Sequence, residues 1–202
     1  MNLIPERLLN FTVREGGNDR VLGEAVSVDL PEITAMTETV SGAGIAGQYE
    51  SPTFGNFQSM VLTIHWRTIV EKSLVFFAHR AYDLDLRGVV QVYESASGTY
   101  EVQPVRISVR GIPKSTKLAP LQVGGTDEAT SEFEVLYIKI WMGGEEKLEI
   151  DKPNYMFKID GVDSFAEIRA ALGYTNAGLA SSASSSGSVV GAIAGSAMGG
   201  LL

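Results

Sequence analysis

The sequence predicts a mainly β fold with minor α: an antiparallel β-barrel or sandwich with one or two flanking short helices. Three observations predict it. Several segments alternate apolar and polar residues with period two, the pattern of half-buried strands. Glycine-bearing turns separate pairs of such segments. Only two stretches carry helical signals, and both are short.

Residues 8–14 and 26–30 are the first strand candidates. Residues 32–58 follow, weakly patterned and punctuated by Gly42, Gly44, Gly47, Pro52 and Gly55. Compact domains seldom hold a structureless loop this long, so it is either an extended hairpin or a segment ordered by a neighbour. In residues 60–67, Met60, Leu62, Ile64 and Trp66 share one face, with Val61, Thr63, His65 and Arg67 opposite. Residues 70–80 place Leu74, Phe77 and Ala78 at helical spacing. After a turn at residues 95–98, Gln103, Val105, Ile107 and Val109 share a face, opposite Arg106, Ser108 and Arg110. Residues 112–130 read as a second long loop. Phe133, Val135, Tyr137 and Trp141 then line one side of a strand. Its other side holds Glu132 and Glu134 before Leu136, Ile138 and Ile140, a mixture that implies cover on both faces for part of its length. Gly143-Gly144 is a tight hairpin turn, since glycine supplies the positive φ required. A last strand is expected at residues 155–159. A helix over residues 164–172 opens with Ser164 and Glu167 as a capping box and closes on Gly173.

The 202 residues divide into a β domain, residues 1–173, and a C-terminal extension, residues 174–202. Of the 29 residues of the extension, 19 are Gly, Ala or Ser, and none is charged. Gly187, Gly191, Gly195 and Gly199 recur every four residues. Each glycine costs about 1 kcal/mol relative to alanine inside a helix, so a helix here needs a packing partner. The alternative is a flexible end. The formal net charge of -8 argues against a grip on nucleic acid, which depends on Lys and Arg displacing counterions, but suits a surface past which nucleic acid moves. With no cysteine, disulfides and thiolate chemistry are excluded. The N-terminal residues lack a signal-peptide pattern. The weakly polar stretch 188–202 is short of the roughly 20 residues that span a bilayer. No insertion of the subunit into a membrane is expected.

Motifs for chemistry fall short. Gly42-Ala43-Gly44-Ile45-Ala46-Gly47 matches a dinucleotide fingerprint, but Pro52 and Gly55 forbid the helix that must open on it. The glycines instead allow a sharp turn or the close approach of another backbone. His65 sits on the polar face of a strand, and His79 ends a helix. Neither belongs to a recognisable constellation. Asp83 with Asp85, and Glu145 with Glu146, read as solvated acids. No catalytic, cofactor-binding or metal-binding residue is assigned, and no enzyme activity is expected. A hydrolase on a β scaffold lacks its triad. A ligand-binding β-barrel would be a monomer around a closed apolar cavity.

Several segments in order resemble one family. Val28-Asp29-Leu30-Pro31 precedes Gly42-Ala43-Gly44, and the alternating strand from Met60 to Trp66 follows. Arg110-Gly111 leads into a Lys-containing polar loop. The ending runs Leu148-Glu149-Ile150-Asp151, Asn154-Tyr155-Met156 and Asp160-Gly161-Val162-Asp163, closed by a helix. This arrangement resembles the major tail tube proteins of contractile-tailed phages, the myovirus type, which are similar in fold to type VI secretion tube proteins. Ser41 departs from the family's usual Arg before Gly-Ala-Gly, and the tail is an addition.

The resemblance implies a virion structural protein. Copies close into hexameric rings by sheet-to-sheet pairing, and rings stack into the inner tube of a contractile tail, a conduit for DNA. Its implied partners are further copies of itself, the tail sheath protein, the baseplate and tail terminator proteins, and the tape measure protein in the lumen during assembly. DNA passes through without specific binding. A DNA-free contractile particle, of tailocin or type VI secretion type, is the alternative. On this reading Gly42, Gly44, Gly47, Tyr49, Phe54 and Phe57 contact the adjacent ring, aromatic residues being enriched at such contacts. Glu132 and Glu134 are the acids assigned to the lumen.

Overall fold

Period-two patterning resolves into strands β1 (Leu3–Glu15), β2 (Asp19–Val21), β3 (Ala25–Asp29), β4 (Ala35–Ser41), β5 (Gln48–Phe57) and β6 (Val61–Trp66). Helix α1 (Glu71–Val75) follows, then β7 (Tyr82–Glu94), β8 (Thr99–Lys117), β9 (Ala129–Met142), β10 (Glu145–Asp151), β11 (Met156–Ile159), β12 (Val162–Asp163) and α2 (Ala166–Ala171). This computed structural model describes residues 3–16, 19–21, 25–69, 71–120 and 129–174. The expectations for the tail, from packed helix to flexible end, fall outside the described residues, apart from Tyr174.

One antiparallel sheet runs β12-β11-β10-β9-β8-β7-β1-β2, and β3 joins it through β6. Among the described residues it is not a closed barrel, because β9 divides one of its edges between two partners. Residues 129–134 of β9 pair with β6, while residues 137–142 pair with β10. The sheet therefore branches at β9.

The inner faces of both branches make one core. Met60, Leu62, Ile64 and Trp66 are all fully buried, as their alternation predicts. They join Val13, Tyr82, Leu84, Val109, Phe133 and Ile150 in a single cluster. Each such side chain contributes about 1.5–3 kcal/mol when fully buried. Trp66 Nε1–H donates to Ser131 Oγ at 3.0 Å, so the one polar atom of the indole is satisfied in the core.

Strand β9 corrects the predicted face assignment. Arg110 pairs with Tyr137, but Gly111 pairs with Val135, so Leu136 is an extra residue on β9. Such a bulge inverts the alternation beyond it. Phe133 and Val135 therefore share the core face with Ile138 and Ile140, not with Tyr137 and Trp141. Tyr137, Lys139 and Trp141 share the opposite face with Glu132 and Glu134.

The first helix is shorter than expected, ending at Val75, so His79 lies in the turns beyond it. Leu74 and Phe77 are half exposed, and the buried apolar residue is Phe76. Phe76 packs its ring against Trp66, Tyr82 and Phe133. Tyr82 Oη–H donates to the Val75 carbonyl at 2.6 Å, fixing the point where the helix stops. The helix α2 lacks the expected capping box. Its first turn is held by Asp163, whose carboxylate accepts from the Phe165 N–H and from Arg169. Gly173 closes it at φ +78°. Of the expected loop over residues 112–130, residues 112–117 instead belong to β8 and residues 129–130 to β9, while residues 118–120 are without regular structure.

Candidate self-assembly surfaces

Residues 32–58 form the extended hairpin. Strands β4 and β5 make their own two-stranded sheet, with Val40 opposite Tyr49 and Glu38 opposite Ser51. The tip turns on Gly44 (φ +94°) and Gly47 (φ +117°), conformations that residues bearing Cβ rarely adopt. Gly42 shows no positive φ. No atom of the described chain lies near a Cβ built on any of the three, so their close-approach role is not used within the subunit.

The foot of the hairpin is anchored. Phe57 packs on Phe157 and Phe165, with ring centroids 5.3 and 6.2 Å away. Phe54 meets Phe165 edge-on at 5.3 Å, yet stays 68% exposed. Gly55 passes so close to α2 that a Cβ there would sit 3.4 Å from Ile168 Cδ1. Lys152 Nζ–H donates to the Gln58 carbonyl at 2.9 Å. Beyond this foot β4 and β5 contact chiefly each other. Met36, Ile45 and Tyr49 stay exposed. An isolated two-stranded hairpin is marginal in water, so this arm is long for the support its own chain supplies.

Glu132 and Glu134 lie on the non-core face of β9. Glu132 accepts from Ser115 Oγ–H at 2.7 Å. Glu134 accepts from Ser59 and from the Met60 N–H, and faces Lys152 at 3.5 Å. Burial raises the Glu134 carboxyl, but these hydrogen bonds and the Lys152 charge outweigh it and hold it below its ordinary value.

The same sheet face carries a charged network that the sequence reading missed. Asp85, a solvated acid by its sequence context, is 4% exposed. Arg106 Nε–H donates to it at 2.8 Å, and Arg87 Nε–H at 2.9 Å. Burial raises the Asp85 carboxyl, while the two guanidinium groups lower it further, for a net depression. Asp83, by contrast, stays exposed and pairs with Arg110 at 2.7 Å. Glu149, also buried, faces Lys158 at 3.0 Å and Lys139 at 3.4 Å and accepts from Tyr137 Oη–H at 3.1 Å. Burial works against its charge, but the two lysines leave its carboxyl below the ordinary range. Burial, and then Glu149, push the Tyr137 phenol up. A signal for the first cluster existed. The acids of Asp83-x-Asp85 alternate on β7 as the cations of Arg106-x-Ser108-x-Arg110 do on the adjacent β8.

The remaining candidates stay apart. His65 Nε2 lies 2.9 Å from Asp29 Oδ2, and His79 stacks loosely by Phe77. Glu145 pairs with Lys147, and Glu146, less exposed than expected, with Lys139 at 2.7 Å. Among the described residues no group of three or more His, Cys, Asp or Glu could hold a metal ion, and no helix is long and apolar enough to cross a membrane.

These surfaces belong to an antiparallel β-sheet protein with a projecting two-stranded arm. A family model described as phage tail tube protein FII matches residues 5–173, and the chain belongs to that family. It is a structural tail tube protein of a contractile system, a component of the virion tail and not an enzyme. Against the tail tube protein of Escherichia phage P2 it is 27% identical over 158 residues, 75% of this chain and 88% of that protein. Among solved structures, it resembles the sheath/tube terminator of an extracellular contractile injection system, PVC, at a TM-score of 0.47 and 14% identity, over 68% of this chain and 96% of the other. The sheath–tube complex of the same system aligns at a TM-score of 0.40 and 17% identity, over 66% and 87%.

Proposed function

We propose that this protein polymerises as stacked hexameric rings into the inner tube of a contractile tail, and that the tube conducts DNA through the host envelope. The observation that carries this reading is the hairpin β4–β5, an arm of apolar residues that its own chain leaves largely uncovered. An interface between unlike patches closes into a ring when its rotation divides a full turn, and a second such interface stacks rings. Residues 1–173 form the tube domain, with residues 174–202 appended. Tyr49 and Phe54 are the anchors toward the adjacent ring, Phe57 roots the arm, and Gly42, Gly44 and Gly47 shape its tip. Glu132 and Glu134 face the lumen, where the carboxylate charge that Lys152 does not offset repels the phosphate backbone within a screening length of about 8 Å.

The tail sheath, tail terminator and baseplate proteins bound the tube, and the tape measure protein fills its lumen during assembly. A DNA-free injection particle of tailocin or type VI secretion type would use the same subunit architecture. Electron microscopy of the purified protein at rising concentration tests the reading. Rings or tubes support it, and a monomer at every concentration refutes it.

A further inference from the structure

On the non-core face of the sheet the acids lie beneath the cations. The Asp85 side chain is 6% exposed, whereas those of Arg87 and Arg106 are 43% and 47% exposed. Asp85 takes Arg87 from its own strand and Arg106 from β8. Glu149 on β10 repeats the plan, buried under Lys139 of β9 and Lys158 of β11. Arg106 and Lys139 both approach the Trp141 ring, 5.0 and 5.2 Å from its centroid, which links the two clusters. Over the Asp85 cluster, and reaching Lys139 and Trp141, lies an open polar trough of about 430 Å³.

Stability alone is a weak reason for this plan, because the cost of taking a carboxylate out of water offsets most of the attraction of its partners. Contact with another protein is a weak reason too, since the centres of such interfaces are depleted of charge and the middle of this face is crowded with it. The plan does have a consequence for polyanions. Lys and Arg bind duplex DNA by displacing mobile counterions, and each added phosphate contact strengthens the grip. A carboxylate built into the sheet cannot be displaced and released. One free guanidinium per subunit, repeated along a tube, would hold DNA in transit.

We propose that Asp85 and Glu149 are built-in counterions, each holding two cations so that a duplex moving over this face cannot engage them. This inference rests on the reading that the face of Glu132 and Glu134 lines the channel, and it names the residues that keep the wall from binding its cargo. Neither buried acid works by repelling DNA. Both are positioning residues, and the groups they restrain are Arg87, Arg106, Lys139 and Lys158.

The free subunit tests the counterion role before any tube forms. The parent does not bind a short fluorescent DNA duplex at low salt, despite its exposed arginines. Asp85→Asn keeps the side-chain shape and binds the duplex about tenfold tighter or more, with the gain lost as salt rises. Adding Arg87→Gln and Arg106→Gln removes the gain. Glu71→Gln, at an exposed acid of α1, makes the same change in net charge and gives no gain. Glu149→Gln is the independent second variant, and circular dichroism with a thermal melt verifies folding. Duplex binding by the parent overturns the proposal. So does a folded Asp85→Asn or Glu149→Gln that binds no tighter than Glu71→Gln.

The chain has no cysteine, so Ser108→Cys, in the trough, reports where the face goes in tubes. Both a small maleimide and one carrying a long polymer react with it in the free subunit. In tubes only the small one reacts, as an enclosed, water-filled channel requires. If both react the face is outside, and if neither reacts it is a subunit contact. Either result overturns the channel reading, and the role in DNA passage with it, even where Asp85→Asn binds DNA. The channel pattern without a gain in DNA binding overturns the counterion role alone.

Discussion

Truncating Phe54 to alanine separates assembly from folding. In the subunit, Phe54 is 68% exposed and makes one ring contact, edge-on to Phe165 at 5.3 Å. Losing that contact costs the folded monomer about 0.5–1.5 kcal/mol. On the proposed reading, a neighbouring copy covers the exposed two-thirds of the ring in the tube. Full burial of a phenylalanine contributes about 1.5–3 kcal/mol, so covering this fraction contributes about 1–2 kcal/mol per subunit. At 1.4 kcal/mol per factor of ten, Phe54→Ala raises the critical concentration for tube formation about 5- to 30-fold. Pelleting across a concentration series measures that threshold, and urea unfolding of the unassembled subunit measures the other term. A critical concentration within twofold of the parent, in a variant that folds, refutes the placement of Phe54 at an interface.

Phe165→Ala has the opposite profile. Phe165 is 3% exposed and joins Phe54, Phe57 and Phe157, so the change costs about 3–5 kcal/mol of subunit stability and frees the hairpin foot. A loss below about 1.5 kcal/mol by urea unfolding counts against that cluster as the root of the arm. Glu132→Lys slows DNA ejection without blocking tube formation, whereas an ejection rate equal to the parent's removes Glu132 from the lumen. Acid stability follows from Asp85, Glu134, Glu149 and Asp163, whose carboxyls all lie below their ordinary values of 3.8 for Asp and 4.5 for Glu. The unfolded chain then binds protons more readily than the folded one, so stability rises with pH through this window. The urea midpoint is expected to hold from neutrality to about pH 5, then fall as pH drops through 4.5 and below. A midpoint at pH 3.5 equal to that at pH 7 would contradict these pairings.

What the chain reveals before folding depends on how far apart the cooperating residues lie. Met60, Leu62, Ile64 and Trp66 declare their buried face because alternation is local, and nothing disturbs the register of β6. Beyond Leu136, the same rule places Tyr137 and Trp141 on the wrong side. One extra residue inverts every later side chain, and no glycine or proline on β9 marks the bulge. A helical period carried past Val75, where the helix has already stopped, selects Phe77 and hides Phe76. Asp85 looks solvated until β7 lies beside β8 and brings Arg106 to it.

The apolar trough where β1, β7 and β8 run past β3 is the extreme case. Its walls come from residues 8–11, 27–30, 86–90 and 105–107, four segments with no common motif. The hairpin, in contrast, is continuous in sequence, and its glycines and aromatics were visible as an anomaly without a destination. A heterologous interface divides its information in this way. The inserted arm can be local and legible, while the receiving surface exists only after long-range pairing has assembled it.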